Sequence, residues 1–257
     1  MRDEVLTLRG VTKQFDDRTI LDGIDLTIRQ GEVVVIIGPS GCGKSTLLRC
    51  INALEPIQGG EILLKGEPVR AGAKDLPTIR RKIGMVFQSY DLFPHLTVMD
   101  NITLAPRRVL GRDPRDAERE ALELLDRVGL ADRAKAYPRQ LSGGQKQRVA
   151  IVRMLIMHPE ILLFDEVTAA LDPEMVREVL DVMLELARQD CTMLIVTHEM
   201  AFARAVANRM IFMDGGQIVE EGAPGKFFTA PETERARAFL NMFRFEEADA
   251  ARKERTA

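Results

Sequence analysis

The sequence is poor in several features that would assign a class at once. Cysteine is scarce, with three in 257 residues: Cys42, Cys50 and Cys191. Their odd number and their spacing fit no metal site, and they point to a reducing cytosol. No stretch approaches the roughly 20 apolar residues of a membrane span. No signal peptide opens the chain, where Met1-Arg2-Asp3-Glu4 runs into an alternating pattern. The chain is therefore expected to be soluble, which leaves a membrane partner open. Lys and Arg number 36 against 39 Asp and Glu, a net charge of −3 with both signs scattered. A basic block is missing, and with it the footprint of a nucleic-acid binder.

What remains is ordinary globular composition, 46% hydrophobic and 29% charged. The length is at the upper end for one domain, or enough for a domain plus a subdomain. One stretch organises the rest. Gly38-Pro39-Ser40-Gly41-Cys42-Gly43-Lys44-Ser45-Thr46 fills every fixed position of G-x-x-x-x-G-K-[ST], the phosphate-binding loop. The β-branched run 33–37 before it reads as a strand buried on both faces, and Lys44 to Leu54 after it as a helix. The glycines thus lie between a strand end and a helix start, where backbone N–H groups and the helix dipole meet an anion. Gly41 and Gly43 let the main chain approach phosphate oxygens. Lys44 supplies a fixed positive charge, and Ser45 a hydroxyl for Mg²⁺. Cys42 sits at the helix start, where its thiolate should be favoured.

Upstream, residues 5–15 alternate as a half-exposed strand, Asp16-Asp17 turns it, and 19–21 and 24–28 read as two short strands of an antiparallel layer. Phe15 at the strand end fits either a core residue or a stacking platform for adenine. Downstream, 61–64 and 83–87 read as strands, and Gln88 follows the second, where pocket residues of α/β sheets gather. The character then changes. Residues 91–141 hold no convincing strand, Asp113-Pro114 opens a helix, and Leu122, Leu125 and Val128 form its apolar stripe. This is expected to be a helical insert.

Ser142 and Gln145 have capping-box spacing ahead of a helix over 145–157. Gly143 and Gly144 weaken that start by about 1 kcal/mol each relative to alanine, without an evident packing gain. The segment is therefore a second candidate anion site. Residues 161–166 form an apolar strand ending in two carboxylates, which require water, metal or a cation there. Asp165 suits Mg²⁺, and Glu166 can orient and deprotonate a water. Asp172-Pro173 caps the next helix, to about Gln189. Of three histidines, His95 lies in a turn and His158 ends a helix. His198 follows the strand 192–196, at the position expected to meet a γ-phosphate. A hairpin over 209–220, an amphipathic helix over 235–245 and a charged tail over 246–257 complete the chain.

In order along the chain, these motifs resemble those of the ATP-binding subunit of an ABC transporter, from about Val5 to Phe245. They are the phosphate loop, the Q-loop (Gln88), the signature (Leu141 to Gln145), Walker B (161–165), Glu166, the D-loop (Leu171-Asp172) and the switch histidine (His198). Stretches such as GMVFQSYDLFPHLTV and VTHEMAFARAVANRMIFMDGGQIVEEG are similar to those of bacterial importers of polar amino acids. The resemblance implies an α/β fold. Its P-loop NTPase core, over 1–90 and 158–245, has a mixed sheet and an antiparallel β layer. An α-helical subdomain over 91–157 is inserted in it.

The resemblance also assigns parts. ATP and Mg²⁺ are the cofactors. Phe15 stacks on adenine, residues 40–46 hold phosphate, and Ser45, Gln88 and Asp165 serve the metal. Glu166, with His198 and Gln88, carries the chemistry. Ser142, Gly143, Gly144 and Asp172 reach the nucleotide of a second copy in a head-to-tail ATP sandwich. Transmembrane permease subunits, with Phe93-Pro94-His95 at the rim of their dock, and an extracytoplasmic solute-binding protein are the implied partners, at the cytoplasmic face of the membrane. Two departures stand out. Val167 and Ala169 replace a common Pro and Ser, and Val152, Met154 and Ile156 replace smaller alanines. Rival readings are an exporter or an importer of another solute, a soluble ABC ATPase acting on DNA or ribosomes, and a P-loop kinase. The kinase would have no use for the signature.

Overall fold

The structure, a computed structural model, describes residues 3–243. Contacts divide the described residues into two units, the first from the parts before 72 and after 193, the second over residues 72–193.

The first unit opens with a hairpin of β1 (Glu4–Phe15) and β2 (Arg18–Arg29). Asp16 takes the turn at φ 50°. One strand, β2, stands where two short ones were expected. Gly23 at φ 66° and a register slip between Val11↔Ile24 and Lys13↔Leu21 make the polar interruption a bulge, not a break. The α1 helix (Lys44–Ile51) stops short of Leu54, because Asn52 caps it and Ala53 turns to φ 51°. β4 (Gly59–Leu64) pairs with β1, and β5 (Glu67–Pro68) with β4, both antiparallel. The alternating apolar residues Leu6, Leu8, Leu21, Ile24 and Ile28 are buried, each worth about 1.5–3 kcal/mol over exposure.

A second run of strands in this unit has the order β10-β9-β3-β8. Here β3 is Val33–Ile37, β8 Met193–Val196, β9 Arg209–Asp214 and β10 Gln217–Gly222. All five residues of β3 are buried, and it runs parallel to β9. The Gly215-Gly216 turn joins β9 to β10, at φ 56° and 83°. The short helices α7 (Met200–Val206) and α8 (Pro224–Thr229) follow β8 and β10. A helix over 234–243 packs Phe239 against Phe212 of β9, with ring centroids 5.2 Å apart. Its start is held by Glu220, whose carboxylate accepts from the N–H groups of Glu232 and Thr233, at 2.8 Å each. Residues 244 and 245 of the expected helix, and the expected tail, lie outside the described residues.

In the second unit, α2 (Leu76–Lys82) leads into β6 (Ile83–Val86), which runs parallel to β7 (Ile161–Asp165). Between them lie α3 (Val98–Val109), α4 (Pro114–Arg127), two 3₁₀ turns and α5 (Gly143–Leu155). α6 (Pro173–Arg188) follows β7. Thr97, Asp113, Ser142 and Asp172 cap α3, α4, α5 and α6 by accepting N–H bonds within the first turns. Val98, Ile102, Ala121, Leu125, Val152 and Ile156 form the core of the three-helix cluster.

The stripe of α4 holds in part: Leu125 and Val128 are buried as expected, but Leu122 is 43% exposed, and Ala117 and Ala121 complete the inward face in its place. The two alanines allow a closer approach than the leucine face would. The enlarged residues of α5 are also accounted for. Val152 and Ile156 fill the cluster core, and Met154 lies over Gly84, where a Cβ would stand 2.3 Å from its sulfur. His158 does not end a helix. It lies past the cap of α5 at φ 51°, its Nε2 2.9 Å from Glu120 Oε1.

Candidate active site

The phosphate loop leaves β3 through Gly38, at φ 152°, where a Cβ would come within 2.1 Å of the Met213 carbonyl oxygen. It enters α1 through Gly43, at φ 104°, where a Cβ would stand 2.8 Å from the Ile20 oxygen. Both ends are thus closed to any side chain. The crown is open: Ser40 and Gly41 are exposed, and a Cβ at Gly41 would meet nothing within 4 Å. Lys44 is 4% exposed, and its Nζ donates to the carbonyls of Gly38 at 2.8 Å and Pro39 at 2.9 Å. The ammonium is therefore held inside the curve of the loop. No side chain among the described residues caps α1, and its first turn has no acidic residue. The positive end of its dipole is left to an outside anion. Ser45 and Thr46 are half-buried in that turn.

Cys42 corrects the sequence reading. Its thiol is buried, and burial raises its pKa against the opposing effect of Lys44. The Lys44 charge and the N–H groups of the helix start favour the thiolate, but burial outweighs them. Phe15 also resolves one way: it is 42% exposed at the end of β1, so it is not a core residue. Lys13 Nζ lies 4.2 Å from its ring centroid. His198, exposed, follows β8, which neighbours β3; His198 and the phosphate loop thus follow neighbouring strands.

The second unit holds the remaining candidates. Gln88 is exposed just beyond β6, and Asp165-Glu166 lie at the end of the adjacent parallel β7, so they leave the same edge. Asp165 is 5% exposed. Glu166 stands at φ 48°, in the left-handed region that a glutamate enters at a cost. Ser142 makes the expected capping box: its oxygen accepts from Gln145 N at 3.2 Å, and Gln145 returns the bond at 3.0 Å. Asp172 accepts from Met175 N at 3.0 Å.

The glycine pair has a packing role that the sequence reading denied it. A Cβ on Gly143 would be 2.9 Å from Leu171 Cδ2 and from the Tyr90 hydroxyl, and one on Gly144 would be 2.9 Å from Met175 Cβ. The Gly144 N–H donates to the Met175 sulfur at 3.2 Å. The first N–H groups of α5 are thus partly engaged within the chain.

Other residues went unnoticed in the sequence. From α5, Gln147 Nε2 donates to the Phe87 carbonyl at 3.2 Å, and Arg153 Nη1 to the Asp91 carbonyl at 2.7 Å. Both grip the segment that holds Gln88. Buried Asn101 bonds Phe93 through both its N–H and its carbonyl, and so shapes the turn at 93–97. No local pattern marks either: six residues apart on α5, about 1.7 turns, Gln147 and Arg153 share no stripe.

Comparison with known proteins agrees with this arrangement of motifs. The sequence profile of the ABC transporter family matches residues 21–169. The glutamine transport ATP-binding protein GlnQ of Geobacillus stearothermophilus is 56% identical over 231 residues, which cover 90% of this chain and 96% of that one. The glutamate/aspartate import ATP-binding protein GltL of Escherichia coli K12 is 53% identical over 236 residues, 92% and 98% of the two chains. Among solved structures, a dimeric ATP-binding cassette in a post-hydrolysis state with ADP and Pi superposes with a TM-score of 0.76 at 35% identity, over 85% of this chain and 98% of that one. Phosphate loop, signature and strand-end carboxylates in this order, with identity along nine-tenths of the length, place the chain in the ABC transporter family.

Proposed function

We propose that this chain is the ATP-binding and hydrolysing subunit that powers import of a polar amino acid across the cytoplasmic membrane. One observation carries the reading: relatives named for glutamine and for glutamate/aspartate transport match it at 56% and 53% identity over 90% and 92% of its length. The phosphate loop supports the ATP half. Its N–H groups and the open start of α1 receive the triphosphate, and Lys44 exchanges a backbone carbonyl for a phosphate oxygen. Phe15 receives the adenine ring.

Mg²⁺ suits the donors present. The Ser45 hydroxyl, the Gln88 amide oxygen and the buried Asp165 carboxylate are hard oxygen ligands. With phosphate oxygens they would hold the ion, which when bound would neutralise phosphate charge. Glu166 takes the proton of the attacking water, and His198 orients the γ-phosphate. Residues 91–157 act as the helical subdomain on a core formed by 1–90 and 158–245.

Two copies work head to tail. Ser142, Gly143, Gly144 and Asp172 of one copy complete the nucleotide site of the other, and ATP favours the closed pair. No helix among the described residues is long and apolar enough to cross a membrane. The chain acts as a peripheral subunit on transmembrane permeases, which meet it near Phe93-Pro94-His95, and an extracytoplasmic binding protein delivers the solute. Disrupting the gene and following uptake of labelled glutamine, glutamate and aspartate tests the import half. Loss of one uptake, restored by the wild-type chain and not by Lys44→Ala, is expected. Unchanged uptake of every polar amino acid would remove that half, and ATP turnover by the purified chain judges the other half separately.

A further inference from the structure

A buried lysine stands behind the exposed ring of Phe15. Lys13 is 3% exposed, yet it carries a charge that needs partners. It finds them beyond α1: Glu55 Oε2 at 3.2 Å, and the Pro56 carbonyl, to which Nζ donates at 2.9 Å. Lys13 and Phe15 are two apart on β1, so their side chains share a face of the strand. The ammonium, anchored from below, lies 4.2 Å from the ring centroid. Phe15 itself is 42% exposed. A ring so exposed gains little from burial, and Lys13 is already held by its two oxygen partners. The contact between them thus does little for the fold.

We infer that Lys13 is a positioning residue for the nucleotide base. It holds the plane of Phe15 and occupies one of its faces, which leaves the other for the purine. The inference rests on the reading of Phe15 as the stacking residue. Two effects work in the same direction. A ring held in place before binding loses less rotamer freedom when the base arrives. The cation also draws π density toward its own side, so the far face is less negative and meets an electron-rich purine more favourably. Glu55 and Pro56 support the arrangement by fixing the ammonium.

Calorimetric titration with two ligands separates this from a plain structural tie. Mg-ATP carries the base, whereas inorganic tripolyphosphate with Mg²⁺ tests the phosphate loop alone. Phe15→Ala is expected to weaken ATP and leave tripolyphosphate unchanged. Lys13→Met is expected to weaken ATP about three- to tenfold, again with tripolyphosphate unchanged, and Lys13→Arg to restore most of the affinity. The double variant should bind ATP no more weakly than Phe15→Ala alone. An ATP affinity indifferent to Phe15→Ala removes the stacking reading, and the inference with it. The inference alone is overturned if Lys13→Met has no effect while Phe15→Ala does, or if its effect persists in full without the ring. It is equally overturned if Lys13→Met loses both ligands, since the lysine then acts through the fold.

Discussion

At the scale of single residues, the chemistry is concentrated in groups whose surroundings are unusual. Glu166 is the clearest: a glutamate at φ 48° directly after a strand buried along its whole length. Such a conformation persists only where neighbours impose it, and it gathers at active sites. The pair Asp165-Glu166 could be read from the sequence, because an apolar strand cannot end in two carboxylates without a reason. The backbone angle could not, since nothing local to a glutamate encodes a left-handed turn. Cys42 shows the converse. Its place at a helix start suggested a reactive thiolate, but burial, which depends on distant parts of the chain, outweighs the local field. Glu166→Gln keeps the shape and removes the proposed base. It is expected to bind ATP normally, to lower turnover by about 10²–10⁴-fold, and to accumulate as an ATP-bound dimer on size exclusion. Near-normal turnover in a steady-state phosphate-release assay would transfer the base to another group, His198 first.

At the scale of elements, α1, α4, α5 and α6 were legible because each carries a local start signal: the phosphate loop, Asp113-Pro114, Ser142 with Gln145, and Asp172-Pro173. The helices α2, α3, α7 and α8 were not. α2, α7 and α8 have six or seven residues, too short for a periodic stripe. α3 carries Pro106 and buries the polar Asn101 and Thr103, which disguise its apolar face. On α4 the small Ala117 and Ala121 decided the buried side over Leu122, and alanine contributes little to a hydrophobicity pattern.

The helix over 234–243 depends on Glu220, and this can be measured. Burial pushes the Glu220 carboxyl up, but bonds from the Glu232 N–H and from the hydroxyl and N–H of Thr233 outweigh it, and its pKa falls below the usual value. A depressed folded-state pKa gives stability that is complete above the unfolded pKa, about 4.3, and fades as pH falls through the lowered value. Glu220→Ala is expected to cost about 1–3 kcal/mol at neutral pH. Denaturant unfolding should show the gap to wild type narrowing as pH drops below about 4. A gap independent of pH would mean that Glu220 acts by packing alone.

At the scale of the whole molecule, the proposal requires that the working site be shared between two chains. Its motive is the two helix starts proposed to receive phosphate, α1 in the first unit and α5 in the second. Lys44→Ala disables the site on its own loop, and Ser142→Arg the site on the partner's loop. Each homodimer is expected to be inactive. A mixture restores one intact composite site per dimer, seen as ATP turnover or as ATP trapped at one site. If wild-type subunits exchange and the mixture still shows neither, the head-to-tail arrangement is refuted. If either variant alone keeps full activity, the site lies within one chain.

The division of the chain has a further consequence, in time. The first unit is built from both ends of the sequence, and β3, which carries the phosphate loop, pairs with β9. β3 ends at Ile37 and β9 begins at Arg209. Roughly 170 residues must be synthesised between them, which takes on the order of 10–30 s at typical translation rates. Throughout that interval β3 is an apolar strand with an open edge, the kind of surface that pairs with the wrong chain. The strand that makes the protein useful is thus one of the first made and one of the last secured, and the nascent chain depends on whatever shields it on the way out of the ribosome.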